Sequence, residues 1–307
     1  TKMRPKSPNE VLNWLVVLLA FAVPIYRAWV SLAAYLVILL WFFQGDLRHR
    51  IERLKHHRLT IAVMVFLGLH LLSLLWSEDP IGGLDYWRKY TYLLLVPVVA
   101  SSLRAVFVGR AFIALAAGTV LSVLLMPVVI LGDIHIRRIH PGNPAATMSH
   151  LDYSMVLAVV GVLILVHLAH SDMRPRRRLI WIMVLVVVIG GMLLNIGRSG
   201  QVAFVATLVV LTPFLLRRRS WITRTAMTVV GIVAVIAVYA AVPRFQERID
   251  AGVDEVRDAV VDRRIDSNQG KRVAGAIVGM TIIRSHPVLG TGIGGNMIEF
   301  HRLLDTE

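Results

Sequence analysis

Long apolar runs separated by short, arginine-rich breaks dominate this chain, and nine of them stand out, at 11–25, 29–43, 60–76, 90–102, 112–131, 151–168, 179–194, 202–216 and 226–242. A helix needs about 20 apolar residues to cross hydrocarbon, and it satisfies its own backbone hydrogen bonds there. A membrane barrel would alternate polar and apolar positions, whereas these runs are continuous. The pattern therefore predicts an all-α integral membrane protein, a polytopic bundle of about nine helices over 1–242. The run at 90–102 is short and contains Pro97. From 243 to 307 the chain turns polar, which predicts a helical segment outside the membrane, amphipathic over 244–264.

Composition agrees. Hydrophobic residues make up 56%, mean hydropathy is +0.68, and 17% of residues are charged, against about a quarter in soluble domains. A net charge of +14 would suit nucleic acid, but the arginines cluster in short loops and no basic face interleaved with aromatics exists, so no nucleic-acid partner is expected. The chain has no cysteine, which excludes disulfides, thiolate nucleophiles and cysteine metal sites. The basic stretch 1–6 precedes an apolar run as in a signal peptide. No small-residue cleavage site follows, so a retained first helix is predicted.

The arginines also predict orientation. With the N-terminus in the cytoplasm, nine helices place 18 Lys and Arg residues on the cytoplasmic side and six in the short loops opposite, as the positive-inside rule requires. Everything from Pro243 onward is then extracytoplasmic.

Candidate chemistry rests on cations on the less basic side. Asn195-Ile196-Gly197-Arg198-Ser199-Gly200-Gln201 joins two apolar runs. Its glycines suit a tight turn and close approach of a ligand. Arg198 suits either a bidentate phosphate contact or an interfacial side chain snorkelling to headgroups. Lys271 and Arg272 open the apolar stretch 273–283, where cations oppose the helix dipole unless an anion lies nearby. The run Gly290-Thr291-Gly292-Ile293-Gly294-Gly295 could cradle a phosphate on backbone N–H groups, though it lacks the Lys-Ser/Thr ending of a nucleotide-binding loop. Arg88 and Lys89 after Trp87 suit a substrate contact or a headgroup anchor. His150 with Asp152 suits a proton-handling pair or a hydrogen-bonded interfacial histidine. Glu78, Asp79 and Asp85 are the only clustered carboxylates before the terminal segment and could hold a cation.

The arginine turn, the long polar segment after it, Lys-Arg-Val-Ala-Gly at 271–275 and His-Pro-Val-Leu-Gly-Thr-Gly-Ile-Gly at 286–294 together resemble the O-antigen ligase and polymerase superfamily. Met-Ser-His-Leu-Asp-Tyr at 148–153 looks more like its ligase branch. The resemblance covers essentially the whole chain and implies a fold similar to class C membrane glycosyltransferases in a bacterial inner membrane. The activity it implies moves an undecaprenyl-diphosphate-linked glycan onto the lipid A-core oligosaccharide on the periplasmic side. Transfer would invert the anomeric carbon with no metal or other cofactor. Arg198 and Arg272 stand where the family places its two essential arginines. Arg88, Lys89, His150 and Lys271 would contact substrate, and membrane lipids would surround the bundle. The family's acceptor-activating histidine would fall beyond Glu307, since His286 and His301 do not match its motif. An O-antigen polymerase or a protein O-oligosaccharyltransferase would share the donor. A transporter or flippase is the reading from a different class; it would carry ionisable residues within its helices, where His70 is the main exception to apolar mid-helix positions.

Overall fold

The computed structural model describes residues 8–43, 47–55, 57–136, 139–141, 144, 148–195, 197–215, 250–251, 254–258 and 267–305. Among them the chain is almost entirely helical, with no strand beyond one isolated bridge between Ile136 and Ile139. The helices are α1 (Pro8–Ala22), α2 (Arg27–Phe43), α3 (Leu47–Leu54), α4 (Arg58–Leu72), α5 (Pro80–Tyr90), α6 (Leu95–Ser102), α7 (Ala105–Leu131), α8 (His150–His170), α9 (Pro175–Leu194), α10 (Arg198–Leu215), α11 (Asn268–Ser285) and α12 (Gly292–Asp305). Two 3-10 turns, Ser73–Trp76 and Thr91–Leu94, extend α4 and α5.

Four described helices are long and apolar enough to cross a membrane: Arg58–Trp76, Ala105–Leu131, His150–His170 and Pro175–Leu194. Shorter apolar helices occupy Glu10–Ala22, Arg27–Phe43 and Ser199–Thr212. The described chain is thus almost wholly helical, with several helices that by length and composition could cross a membrane. The predicted run at 226–242, and most of the predicted amphipathic stretch at 244–264, lie outside the described residues.

The run at 90–102 is not one helix. α5 ends at Tyr90, the chain tightens into the 3-10 turn, and α6 restarts at Leu95 with Pro97 in its first turn. Proline is tolerated there because an N–H in the first turn has no intrahelical acceptor. Conversely, α7 starts at Ala105, seven residues before the apolar run at 112, and carries Arg110 inside it. The guanidinium lies 4.8 Å from the Phe107 ring centroid and 5.2 Å from that of Trp14. Aromatic faces attract the cation while its aliphatic stem packs, so this charge does not end the helix.

The structure divides into two units. One comprises Thr1–Arg50 and Ser101–Val235, the other Ile51–Ala100 and Ile236–Glu307. In the first, α1 packs on α2 and α7, α8 packs on α9 and α10, and α7 packs on α9. Its core includes Met126, Leu157, Ile164, Val188 and Phe204. Leu18, Leu32, Leu39, Leu124 and Val186 are exposed, as lipid-facing positions of such a bundle should be.

The fully buried Asn13 closes the entry to α7. Its Oδ1 accepts from the Arg104 N–H at 2.9 Å, and its Nδ2 donates to the Ser102 carbonyl at 3.3 Å. Nearby, the Trp41 indole N–H donates to Ser101 Oγ at 2.8 Å. The two Asn13 bonds satisfy backbone groups freed between α6 and α7.

In the second unit, α12 packs on α5, on the Ser73–Trp76 turn and on α4, and α11 packs on α12. The helices α11 and α12 therefore share a compact unit with α4 and α5.

Replacing Asn13 with alanine leaves the Arg104 N–H and the Ser102 carbonyl without this partner. It is expected to cost about 1–3 kcal/mol, read as a lower unfolding temperature of the protein in detergent. Thr281→Ala, which removes an exposed hydroxyl bonded to the Ile277 carbonyl of its own helix, should stay within about 0.5 kcal/mol.

Candidate functional site

The residues singled out in the sequence fall into two local sites, one in each unit.

In the first unit, the link between α9 and α10 is shorter than the sequence suggested. Asn195 ends α9, and Arg198 is already the first residue of α10. Asn195 is fully buried; its Nδ2 donates to the His150 carbonyl at 3.0 Å, and its Oδ1 has no hydrogen-bond partner among the described residues. Gln201 reaches back across the turn, donating to the Met192 carbonyl at 2.6 Å and the Asn195 carbonyl at 3.4 Å.

The glycines of this motif serve helix packing rather than ligand approach. A Cβ on Gly197 would overlap the His150 carbonyl oxygen, and one on Gly200 would overlap the Ser154 carbonyl. Only hydrogen at these positions lets the start of α10 lie against the first turns of α8. The Gly200 N–H donates to Ser154 Oγ at 3.1 Å, and Ser154 Oγ donates to the Leu151 carbonyl at 2.7 Å. The backbone that a ligand was expected to approach is therefore occupied by α8. Arg198 is the first residue of a helix anchored in this way, and its side chain lies outside what the structure describes.

His150 is the first residue of α8, capped by Ser149, whose Oγ accepts from the Asp152 N–H at 3.1 Å. Among the described residues no hydrogen bond joins His150 to Asp152, so the proposed proton-handling pair is not formed. The stacking demand at this position falls on the His150 carbonyl, which holds Asn195.

In the second unit, Ser267 caps α11 by accepting from the Gly270 N–H at 2.9 Å. Lys271 and Arg272 follow, both exposed and without an ion pair among the described residues. Two cations beside a positive helix end raise the local potential, and this is a favourable place for an anion. Arg88 and Lys89 differ, because both pair with Asp85, at 2.8 and 3.5 Å, on the exposed last turns of α5. The Lys89 ammonium also lies 4.4 Å from the Tyr86 ring centroid.

The glycine-rich run is not an open phosphate cradle. The Ile293 N–H donates to Ser73 Oγ at 3.2 Å and the Gly294 N–H to Ser77 Oγ at 3.0 Å. Ser73 and Ser77 thus cap α12 from another part of the chain, using N–H groups that a phosphate would need. Gly292 sits at φ +76 with Ser73 and Ser77 against it, and a Cβ on Gly294 would overlap the Asp79 carbonyl. The Trp76 indole N–H donates to the Leu289 carbonyl at 3.0 Å.

The three clustered carboxylates are separately engaged. Glu78 pairs with Arg302 at 3.2 Å, Asp79 caps α5 by accepting from the Gly82 N–H at 2.9 Å, and Asp85 holds Arg88 and Lys89. They do not converge on a cation. Among the described residues no group of three His, Asp or Glu could hold a metal ion.

Sequence reasoning overlooked Ser73 and Ser77, which lie at the start and just past the end of the 3-10 turn Ser73–Trp76. It also overlooked the aromatic side chains Trp76, Tyr86 and Tyr90 beside the glycine run.

Comparison with protein-family models, with curated proteins and with solved structures finds no match for this chain.

Gly200→Ala should destabilise the first unit by about 1–3 kcal/mol, since the new methyl meets backbone rather than a yielding side chain. Gly190→Ala, where nothing lies within 4 Å, provides the control. Thermal unfolding of both variants in the same detergent checks the contrast.

Proposed function

We propose that this protein is a membrane glycosyltransferase of the O-antigen ligase type. It would transfer an undecaprenyl-diphosphate-linked glycan to the lipid A-core oligosaccharide at the periplasmic face of a bacterial inner membrane. The observation that carries the reading is the exposed, unpaired Lys271–Arg272 pair at the start of α11, in a chain whose other arginine motif opens α10 at Arg198. The order and spacing of these motifs are those by which the chain resembles the superfamily.

The chemistry follows from the leaving group. As the glycosidic bond breaks, negative charge grows on the bridging oxygen of a lipid diphosphate. Guanidinium groups held at that oxygen stabilise the transition state more than the ground state. Arg198 and Arg272 supply that charge, Lys271 adds to the field, and no metal is required of the mechanism. The acceptor hydroxyl attacks the anomeric carbon from the opposite face, which inverts its configuration. In this reading His150 acts through its carbonyl, which holds Asn195 and the turn leading to Arg198. Arg88 and Lys89, already paired with Asp85, contact headgroups more weakly.

The O-antigen polymerase and the protein O-oligosaccharyltransferase use the same donor chemistry, and the acceptor separates them. A flippase would move the donor without consuming it.

Arg198→Ala and Arg272→Ala should each lower transfer by at least about a hundredfold while the protein stays folded and inserted. An assay with purified lipid-linked donor and several acceptors measures this, and full transfer by both variants refutes the mechanism. Because the chain lacks cysteine, single cysteines introduced into it report without background.

Orientation is checked in the same background. An impermeant thiol reagent added to the periplasmic side should label Asp85→Cys and leave Asp172→Cys untouched. The reverse pattern would place both arginines in the cytosol and exclude the activity.

A further inference from the structure

The second unit contains a groove of about 660 Å³ between the end of α4, the face of α5 and the glycine-rich run, a size typical of small-molecule sites. His70, Trp76, Tyr86, Tyr90, Gly290 and Asn296 are among the residues that line it. The two positive-φ glycines, Gly290 and Gly292, carry the chain along one wall without side chains.

Three aromatic rings are left partly open, and two of them are held in place; the Lys89 ammonium lies over the third, Tyr86. Trp76 is fixed by its bond to the Leu289 carbonyl. Tyr90 packs edge-on against Phe66 and His70, with centroids 5.4 and 5.2 Å away. Trp76, Tyr86 and Tyr90 nevertheless keep 37–38% of their surface exposed.

His70 supplies a directed polar atom. Its Nδ1 lies 2.8 Å from the Phe66 carbonyl. A carbonyl can only accept, so Nδ1 bears the proton and the neutral ring keeps its lone pair on Nε2. The Phe66 ring, 4.0 Å away, fixes the imidazole plane. Among the described residues, Nε2, the Tyr86 and Tyr90 hydroxyls and the Asn296 amide make no hydrogen bond.

We infer that this groove binds pyranose rings of a membrane-borne saccharide, with the aromatic faces stacking on sugar C–H groups and His70 Nε2 accepting from a sugar hydroxyl. The combination decides the chemistry. An acyl or prenyl chain would leave four polar groups unsatisfied, whereas a sugar offers an apolar face and a rim of hydroxyls that match them. The groove lies at the end of a helix long and apolar enough to cross the membrane, where the head of a glycolipid would stand. The inference rests on the glycan-handling reading above and adds to it a saccharide site in residues that reading does not use.

Saturation-transfer NMR on the chain in lipid nanodiscs tests it. The probes are trisaccharides of hexose, N-acetylhexosamine and 6-deoxyhexose, free and as dodecyl glycosides. Ring protons of at least one sugar should receive saturation, and the signal should fall about fivefold in Tyr90→Ala and in His70→Leu. His70→Gln, which keeps an acceptor, should retain most of it, and Asn296→Ala gives a second readout at an exposed position. Saturation of no sugar, saturation indifferent to these variants, or saturation confined to the dodecyl chain would each overturn the site, the last marking a lipid-chain groove. Arg272→Ala should keep the sugar signal while losing transfer. Groove-dependent binding in a wild-type chain without transferase activity sinks the enzyme alone, and transfer indifferent to the groove sinks the groove alone.

Discussion

Wherever a helix of this protein stops, the N–H and C=O groups it releases need a partner. The structure answers with side chains from other helices. Asn13 takes the backbone between α6 and α7, and Ser73 with Ser77 take the first N–H groups of α12. Asn195, just past the end of α9, ties that end to the start of α8 through the His150 carbonyl. The positions of the candidate functional residues follow from these closures. Arg198 starts a helix whose preceding turn is tied by Asn195 and Gln201, and the groove beside Tyr90 exists because the serines hold the glycine run in place.

The same constraint explains why glycine recurs at the motifs. A cap donated by a neighbouring helix requires the two backbones to approach closely, and at Gly197, Gly200 and Gly294 a methyl group would occupy the space of a carbonyl. A glycine-rich motif met in sequence invites a ligand-binding reading, because bare backbone can face a phosphate. Here the bare backbone faces protein. What the motifs retain for chemistry is the cations beside them, Arg198, Lys271 and Arg272.

Much of the bundle was legible because hydrophobic length is a direct consequence of membrane thickness. The runs at 151–168 and 179–194 fall within α8 and α9, each of which the structure extends by a few residues carrying polar or charged side chains. Charge hid the start of α7, where Arg110 lies over Phe107 and Trp14 inside the helix. Continuity misled at 90–102, where an apolar run holds a 3-10 turn and a new helix start. At the candidate site, the cations and the capping serine of α11 could be read locally. Contacts between Ser73 and Ile293, or Ser77 and Gly294, span more than 200 residues, and no local pattern encodes such a pairing. The aromatic groove escaped for the same reason, since its walls come from opposite ends of the chain.

That long-range pairing also sets an order of events during synthesis. The α4–α5 corner leaves the ribosome early, yet the residues that close it are made more than 200 positions later. Meanwhile nearly the whole of the other unit has emerged and can settle. Closing so long a loop is slow compared with forming local helix pairs. Until the glycine run arrives, Ser73 and Ser77 lack the N–H groups that they later accept from.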